Sequence, residues 1–293
     1  MNYAGMGIPE PSLLDSTAKV TIRQSDSEAI ASEAATASLN RGDATAVAGP
    51  VKPAALATHM ADGKLSGTKL AVPDGDVADF AVVAALGDRG PCLAIVDLAG
   101  LGVTRETVAT IDPTRSHARI VFAGAPADLL PGSEGVDAVR HLLDRAAVML
   151  AFEQVGCAQA ALEMARDYAR ERYAFGRPLG SFQAIKHKLA DIYIAVELAR
   201  SNAYYGAWAL HTDAAELPIA ASVARISACD AGWLASKENI QTHGGMGFTW
   251  QMDCQFYYRR AKLHAMALGG TREWKRRLVA ELRKSNTIAL AND

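Results

Sequence analysis

R-E-R-Y-A-F-G-R-P-L-G-S-F-Q-A-I-K-H, residues 170–187, is the stretch whose reading decides the fold. A long apolar helix enters it and another leaves it. Between them Gly176, Pro178 and Gly180 break the chain, and Ser181 is placed to cap the outgoing helix. This predicts a tight helix–helix connection. It carries Arg172, Phe175 and Gln183, three groups that a plain turn does not require. A guanidinium fork suits a phosphate, an aromatic ring suits a planar ligand, and a side-chain amide can bond a polar ring edge. Taken alone, the segment favours the reading of an ordinary helix–helix turn with a solvated arginine.

Two further segments share its register. Gln241-Thr-His-Gly-Gly-Met-Gly-Phe248 ends another long helical stretch, and Ala267-Leu-Gly-Gly-Thr-Arg-Glu273 opens the last one. In this order and spacing the three segments resemble the C-terminal part of the acyl-CoA dehydrogenase family. Its pattern reads E-R-x-x-F-G-x-x-[IL]-x-x-F-Q, then Q-x-x-G-G-x-G, then x-G-T-x-E. The resemblance extends from about Lys64 to about Glu281. It implies FAD as cofactor, lying between a small β-domain and a helical bundle, with its adenine end reaching a neighbouring subunit. On that basis Arg172, Phe175, Gln183, Gln241, Gly244, Gly245 and Thr271 are expected to contact the cofactor. Arg172 would face the pyrophosphate, Phe175 would pack on the cofactor, and Gln183 would bond its polar edge. Physical chemistry supplies an alternative at two of these positions: Gly244 or Gly245 as a left-handed helix cap, and Thr271 as an N-cap.

Composition bounds the rest. The chain has 293 residues, 50% hydrophobic, with net charge −2, so it is long enough for two domains and lacks general attraction to nucleic acid or anionic membrane. It contains no apolar run of spanning length and no secretory leader at its start. A cytoplasmic location is expected. Cys92, Cys157, Cys229 and Cys254 lack metal or disulfide spacing and read as small buried apolar residues.

An α+β architecture follows from the texture of the chain. Residues 1–52, rich in Ala, Ser, Thr and Asp, read as a partly ordered arm, or the remnant of the helical domain that the family carries there. Residues 53–130 hold short β-type runs at 65–72, 79–86, 92–98, 102–111 and 118–122, separated by Asp-Gly and Asp-Pro turns. These predict a small antiparallel barrel or sandwich. Residues 131–293 read as a four-helix bundle, with helices near 133–173, 182–212, 217–242, 251–267 and 271–286.

Where a catalytic member of the family places its carboxylate base, this chain has Gly269 or, by the second family location, Ala146. Neither can take a proton. Glu153, two turns beyond Ala146, is a weak candidate, and a bonded structural residue is the alternative. His243 and His264 show no partner by spacing and read as structural or surface residues. The family's T-E-P-x-x-G-S-D loop has no counterpart, since Gly49-Pro-Val-Lys-Pro53 occupies that region. Pro73 stands where a Thr or Ser would face flavin N5, with neither hydroxyl nor N–H to offer. The resemblance therefore implies a reduced subunit of a heteromeric α2β2 acyl-CoA dehydrogenase, of the kind acting on steroid side-chain CoA thioesters. It would lend part of a FAD site to a homologous full-length partner that holds most of the acyl-CoA substrate. The alternatives are a self-sufficient dehydrogenase using Glu153 and a non-catalytic flavin-binding scaffold.

Overall fold

The computed structural model describes residues 56–291, with side chains through 284, and the arm expected over residues 1–52 lies outside them. The β-domain comprises β1 (His59–Ala61), β2 (Lys64–Pro73), β3 (Phe80–Gly87), β4 (Gly90–Asp97), β5 (Val103–Thr107) and β6 (His117–Leu129). Strand order is β2-β1-β3-β4-β6-β5, and a further β2–β6 pairing closes the sheet into a barrel. The pairings are antiparallel except for one parallel contact, His59 opposite Leu86. Closure leaves β5, which pairs only with β6 among the described strands, as the edge of the sheet. Inward positions form one core: Leu65, Val83, Val96, Ile120 and Phe122 are all nearly inaccessible.

The sequence reading has no counterpart to β1 and differs from the barrel in the extent of two further strands. β5 ends at Thr107 rather than 111, and β6 runs on to Leu129 rather than stopping at 122. The Gly-Ala-Pro segment at 124–126 stays in the ladder, Ala125 opposite Leu65 and Pro126 opposite Lys64. Its register shift absorbs the irregularity, and Gly124 supplies a positive φ of 69°.

The helical part holds α1 (Val136–Glu171), α2 (Gln183–His211), α3 (Leu217–His243), α4 (Cys254–Ala267) and α5 (Thr271–Ala291). α1, α2 and α3 pack on one another, and α4 and α5 lie against α3. Their core is dominated by alanine: Ala151, Ala158, Ala161, Ala199, Ala203, Ala224, Ala228, Ala231 and Ala235 are buried together. Small side chains let the helices approach closely. A Cβ on Gly206 would stand 3.0 Å from Val148 Cγ2, so a side chain there would press on α1 where α2 crosses it. The first turns of α1 seal the barrel to the bundle, with Val139 and Leu142 packed on Leu56, Val82, Ala84 and Leu93.

Ser181 does not cap α2. Its hydroxyl donates to Pro178 O at 2.7 Å, and Phe182 holds the N-cap position without a side-chain bond. The connection is instead a two-stranded hairpin, Tyr173–Ala174 against Arg177–Pro178, followed by a 3-10 turn at Leu179–Ser181.

Candidate functional site

Phe175 and Gly176 form the tip of that hairpin with φ of 52° and 77°. Glycine takes this conformation freely, but a bulky aromatic residue there is strained, and such strain persists mainly at functional positions. Phe175 is also 96% exposed, so burial does not compensate it. Its ring meets only the edge of Phe182, at 6.2 Å, and Arg177 lies over the other ring at 4.1 Å. Arg172 is held by its backbone: its N–H donates to Tyr168 O and its carbonyl accepts from Leu179 N. Its exposed guanidinium forms no bond among the described residues, and neither does the Gln183 amide at the start of α2. The hairpin thus presents a cationic fork, an aromatic face and an amide to the outside.

Tyr168, one turn before Arg172, stacks on His243 with ring centres 4.1 Å apart. This contact brings the hairpin and the Gln241–Gly247 loop to the same end of the bundle. Gly244 caps α3 with φ 61°, so the capping alternative describes its backbone. Gly247 is fixed by crowding, since a Cβ there would stand 2.5 Å from Ile240 O. Gln241 and Gly245 are exposed beside them.

Thr271 does not join this group. It begins α5 beside Leu268 and Trp274, which pack with Ala146, Ala147 and Leu217 at the opposite end of the bundle. Ala146 and Arg172 are 26 residues apart on one helix, a span of roughly 39 Å. The structure therefore gathers six of the seven expected cofactor residues at one end. At the other it gathers Thr271 with both positions that lack a base, Ala146 and Gly269.

Sequence reasoning missed the electrostatic centre of the molecule, which lies at the seam between barrel and bundle. Arg260 on α4 donates to Asp112, to Glu153 Oε1 at 2.9 Å and to Thr114. His264, one turn on, bonds the same Glu153 oxygen at 2.8 Å. Arg115 sits 3.9 Å from the second Glu153 oxygen and forks onto Asp74 at 2.8 and 3.1 Å. So His264, which showed no partner by spacing, has one across the bundle. Burial of Glu153 favours its neutral form, but the His264 bond and the charges of Arg115 and Arg260 outweigh it and bring the pKa to about 2. Asp112, fully buried, is held below the ordinary aspartate value against its burial by bonds from Thr114 and Arg260. The only sequence signal for this cluster was Arg260 and His264 at i, i+4 on one helix face.

A second buried carboxylate behaves oppositely. Asp144 on α1, two residues before Ala146, bonds Arg277 of α5 at 2.6 Å, while its other oxygen has no partner among the described residues. Burial dominates and raises its pKa to about 6. Deeper in the bundle Arg225, wholly buried, donates to Gln154 at 2.7 Å and to His264 O, so α1, α3 and α4 are joined by polar bonds as well as by packing. Cys92, Cys229 and Cys254 are buried as expected, and Cys157 is half-buried. Among the described residues no cluster fit for a metal occurs, and no helix is long and apolar enough to cross a membrane.

Comparison with known proteins agrees with this layout. Residues 133–282 match the acyl-CoA dehydrogenase C-terminal domain. Acyl-CoA dehydrogenase IpdE2 of Mycobacterium tuberculosis (strain ATCC 25618 / H37Rv) is 37% identical over 239 residues, covering 80% of this chain and 68% of the relative. The bovine (Bos taurus) mitochondrial short-chain specific acyl-CoA dehydrogenase is 34% identical over 242 residues, covering 78% and 58%. Among solved structures, a steroid ACAD, Tcur3481-Tcur3483 G363A variant, superposes with TM-score 0.72 at 31% identity, covering 78% of this chain and 63% of that one. The ChsE4-ChsE5 complex of Mycobacterium tuberculosis gives 0.71 at 30%, covering 80% and 63%. The chain thus spans between 58% and 68% of the length of these relatives. With the domain match covering half the chain and the barrel preceding the bundle as the motifs implied, the chain belongs to the acyl-CoA dehydrogenase family.

Proposed function

We propose that this chain is a subunit of a flavin-dependent acyl-CoA dehydrogenase that lends its hairpin end to FAD held chiefly by a homologous full-length partner. The observation that carries this reading is the hairpin itself, where Arg172, exposed and unpaired, stands beside a strained, fully presented Phe175. Members of the family bind FAD. Arg172, Phe175 and Gln183 fit the nucleotide part of that cofactor: a fork for pyrophosphate, a face for stacking and an amide for a polar edge. Gln241, the half-buried Gly244 and the exposed Gly245 stand at the same end and complete the rim.

The seam fits the cofactor's ring poorly. Asp74, next to Pro73, is tied through Arg115 to Glu153, and Arg260 bonds both Glu153 and Asp112 directly across the joint. At these residues the joint is closed by direct side-chain contacts. Bound FAD supplies the acceptor for the hydride leaving Cβ of an acyl-CoA, while a carboxylate removes the Cα proton. In this chain neither Ala146 nor Gly269 can be that base. Glu153, with its pKa brought down to about 2 and its Oε1 bonded by both Arg260 and His264, lacks the raised pKa that proton abstraction at neutral pH needs. The base and most of the acyl-CoA pocket are assigned to the partner, in an α2β2 assembly located in the cytoplasm. A steroid side-chain CoA is the substrate class in view, on the likeness to the steroid ACAD structure.

Purification of the chain alone and with candidate homologous subunits, followed by flavin absorbance and acyl-CoA-dependent reduction of an electron acceptor, tests this. Activity and flavin only in the assembly are expected. Turnover by the isolated chain that Glu153→Ala abolishes would instead establish the self-sufficient enzyme.

A further inference from the structure

The last turns of α3 hold both feet of the hairpin. At the entry foot His243, the final residue of α3, stacks on Tyr168 of α1 with ring centres 4.1 Å apart and planes tilted by 29°. Tyr168 is tied in turn to the fork, because its carbonyl accepts the N–H of Arg172 at 2.9 Å. At the exit foot Lys188 of α2, a little beyond Gln183, donates to Glu238 of α3 at 2.7 Å. His243 is 3% exposed, and its Nδ1 lies 2.9 Å from Asn239 O. A carbonyl only accepts, so that nitrogen carries the proton, and the ring is held at its rim as well as on its face. Beyond it the chain turns directly into Gly244 and Gly245, and Gly247 folds back so closely that a Cβ there would stand 3.1 Å from His243 Cβ. This buried ring adjoins one cofactor-facing segment in sequence and touches the anchor of the other in space.

We propose that His243 is a positioning residue of the flavin site: through its stack on Tyr168 it sets where the Arg172 guanidinium stands relative to Gln241, Gly244 and Gly245. The proposal rests on the reading of the hairpin as a cofactor site. A ligand gripped by a planar fork on one segment and by an amide on another needs the two at a fixed separation, and a misplacement of about 1 Å is enough to weaken such contacts.

The test uses the assembled complex and reads flavin affinity beside the melting of the flavin-free complex. His243→Ala should raise the flavin dissociation constant roughly two- to tenfold, the worth of one aromatic pair, at a temperature where the complex is fully folded. If His243→Ala does not assemble, Tyr168→Leu removes the same stack from α1 and should give the same loss. His243→Phe and Tyr168→Phe keep two stacked rings and should bind flavin near the parent value. Acting through Arg172 further predicts non-additivity: His243→Ala combined with Arg172→Lys should cost no more affinity than Arg172→Lys alone. A His243→Ala complex that melts lower but binds flavin as before, a loss that adds to that of Arg172→Lys, or a His243→Phe complex as weak as His243→Ala would each overturn the proposal while the hairpin reading stands. Unchanged flavin affinity in Arg172→Lys would overturn both.

Discussion

The seam around Glu153 and the hairpin around Phe175 lie on the same helix run and use the same residue types, yet they treat charge in opposite ways. At the seam every guanidinium points at a carboxylate: Arg260 at Glu153 and Asp112, Arg115 at Asp74. At the hairpin Arg172 is left unpaired and Phe175 keeps a strained backbone with no burial to offset it. Charges that are paired and desolvated contribute to cohesion between domains. Charges held in place by backbone bonds but left open are available to something outside the chain. The difference separates what holds this protein together from what it offers to a partner.

The largest effect should come from the closed side. Glu153→Ala leaves Arg260 and His264 without their shared acceptor inside a low-dielectric joint. Glu153 is only half-buried and Arg260 keeps Asp112 and Thr114, so the loss of an acceptor at His264 and Arg260 should cost about 1–3 kcal/mol. Denaturant unfolding of the isolated chain should show a loss of that order, with flavin capture by the surviving folded complex unchanged. If stability holds and only turnover of the assembly disappears, Glu153 belongs to the chemistry and the comparison fails.

Asp144 sharpens the same contrast by pH. Glu153 drops from 4.5 to about 2 on folding, so its contribution is present above pH 4.5 and is lost as pH falls towards 2. Asp144 rises from 3.8 to about 6, so its contribution is present below pH 3.8 and is lost as pH rises through 6. At 1.36 kcal/mol per unit the shift of Asp144 corresponds to at most about 3 kcal/mol. Asp144→Asn should therefore flatten the dependence of melting temperature on pH between 4 and 7, and cost little stability at neutral pH. Glu153→Gln should flatten it only below about 4.5. A slope between pH 4 and 7 that survives Asp144→Asn would show that Arg277 keeps the carboxylate ionised throughout.

Much of this layout was legible in the sequence, and the misses have a common physical cause. Period-2 runs and Asp-Gly turns announced the barrel, and the Gly-Pro-Gly breaks located the hairpin between two helices. These are local signals, carried by residues a few positions apart. Arg260 and Asp112 are 148 positions apart, and Asp144 and Arg277 are 133 apart, so no window of sequence contains either pair. The extension of β6 was missed because Pro126 reads as a breaker, while only the pairing with β2 shows that its missing N–H is tolerated there. Thr271 and Arg172 are both expected cofactor contacts by resemblance, and helix length sets them at opposite ends of the bundle.

A smaller effect tests the open side. Phe175→Gly removes the side chain from a positive-φ position that glycine adopts without strain. Relief of about 1 kcal/mol is expected from strain of this type, so the chain should melt slightly higher. If the ring is retained for contact with a nucleotide, the assembled complex should hold less flavin despite the gain. A loss of stability would mean that the Phe182 edge contact anchors the hairpin and that the exposure of Phe175 has no ligand behind it.

The smallest change in stability, and the one on which the functional reading most depends, concerns Arg172. Its guanidinium is exposed and unpaired among the described residues, so replacing it should leave the melting of the flavin-free chain within about 0.5 kcal/mol of the original. Arg172→Lys keeps the charge but loses the planar two-point fork that suits a pyrophosphate. If the hairpin serves FAD, flavin occupancy of the assembled complex should fall while assembly itself, read by native mass spectrometry, is preserved. Arg172→Lys that lowers assembly and flavin together would place the residue in a subunit contact rather than on the cofactor. Unchanged occupancy would leave the strained Phe175 without its neighbour's support and would withdraw the cofactor role from the hairpin as a whole, because Gln183 has no independent claim once the fork is silent.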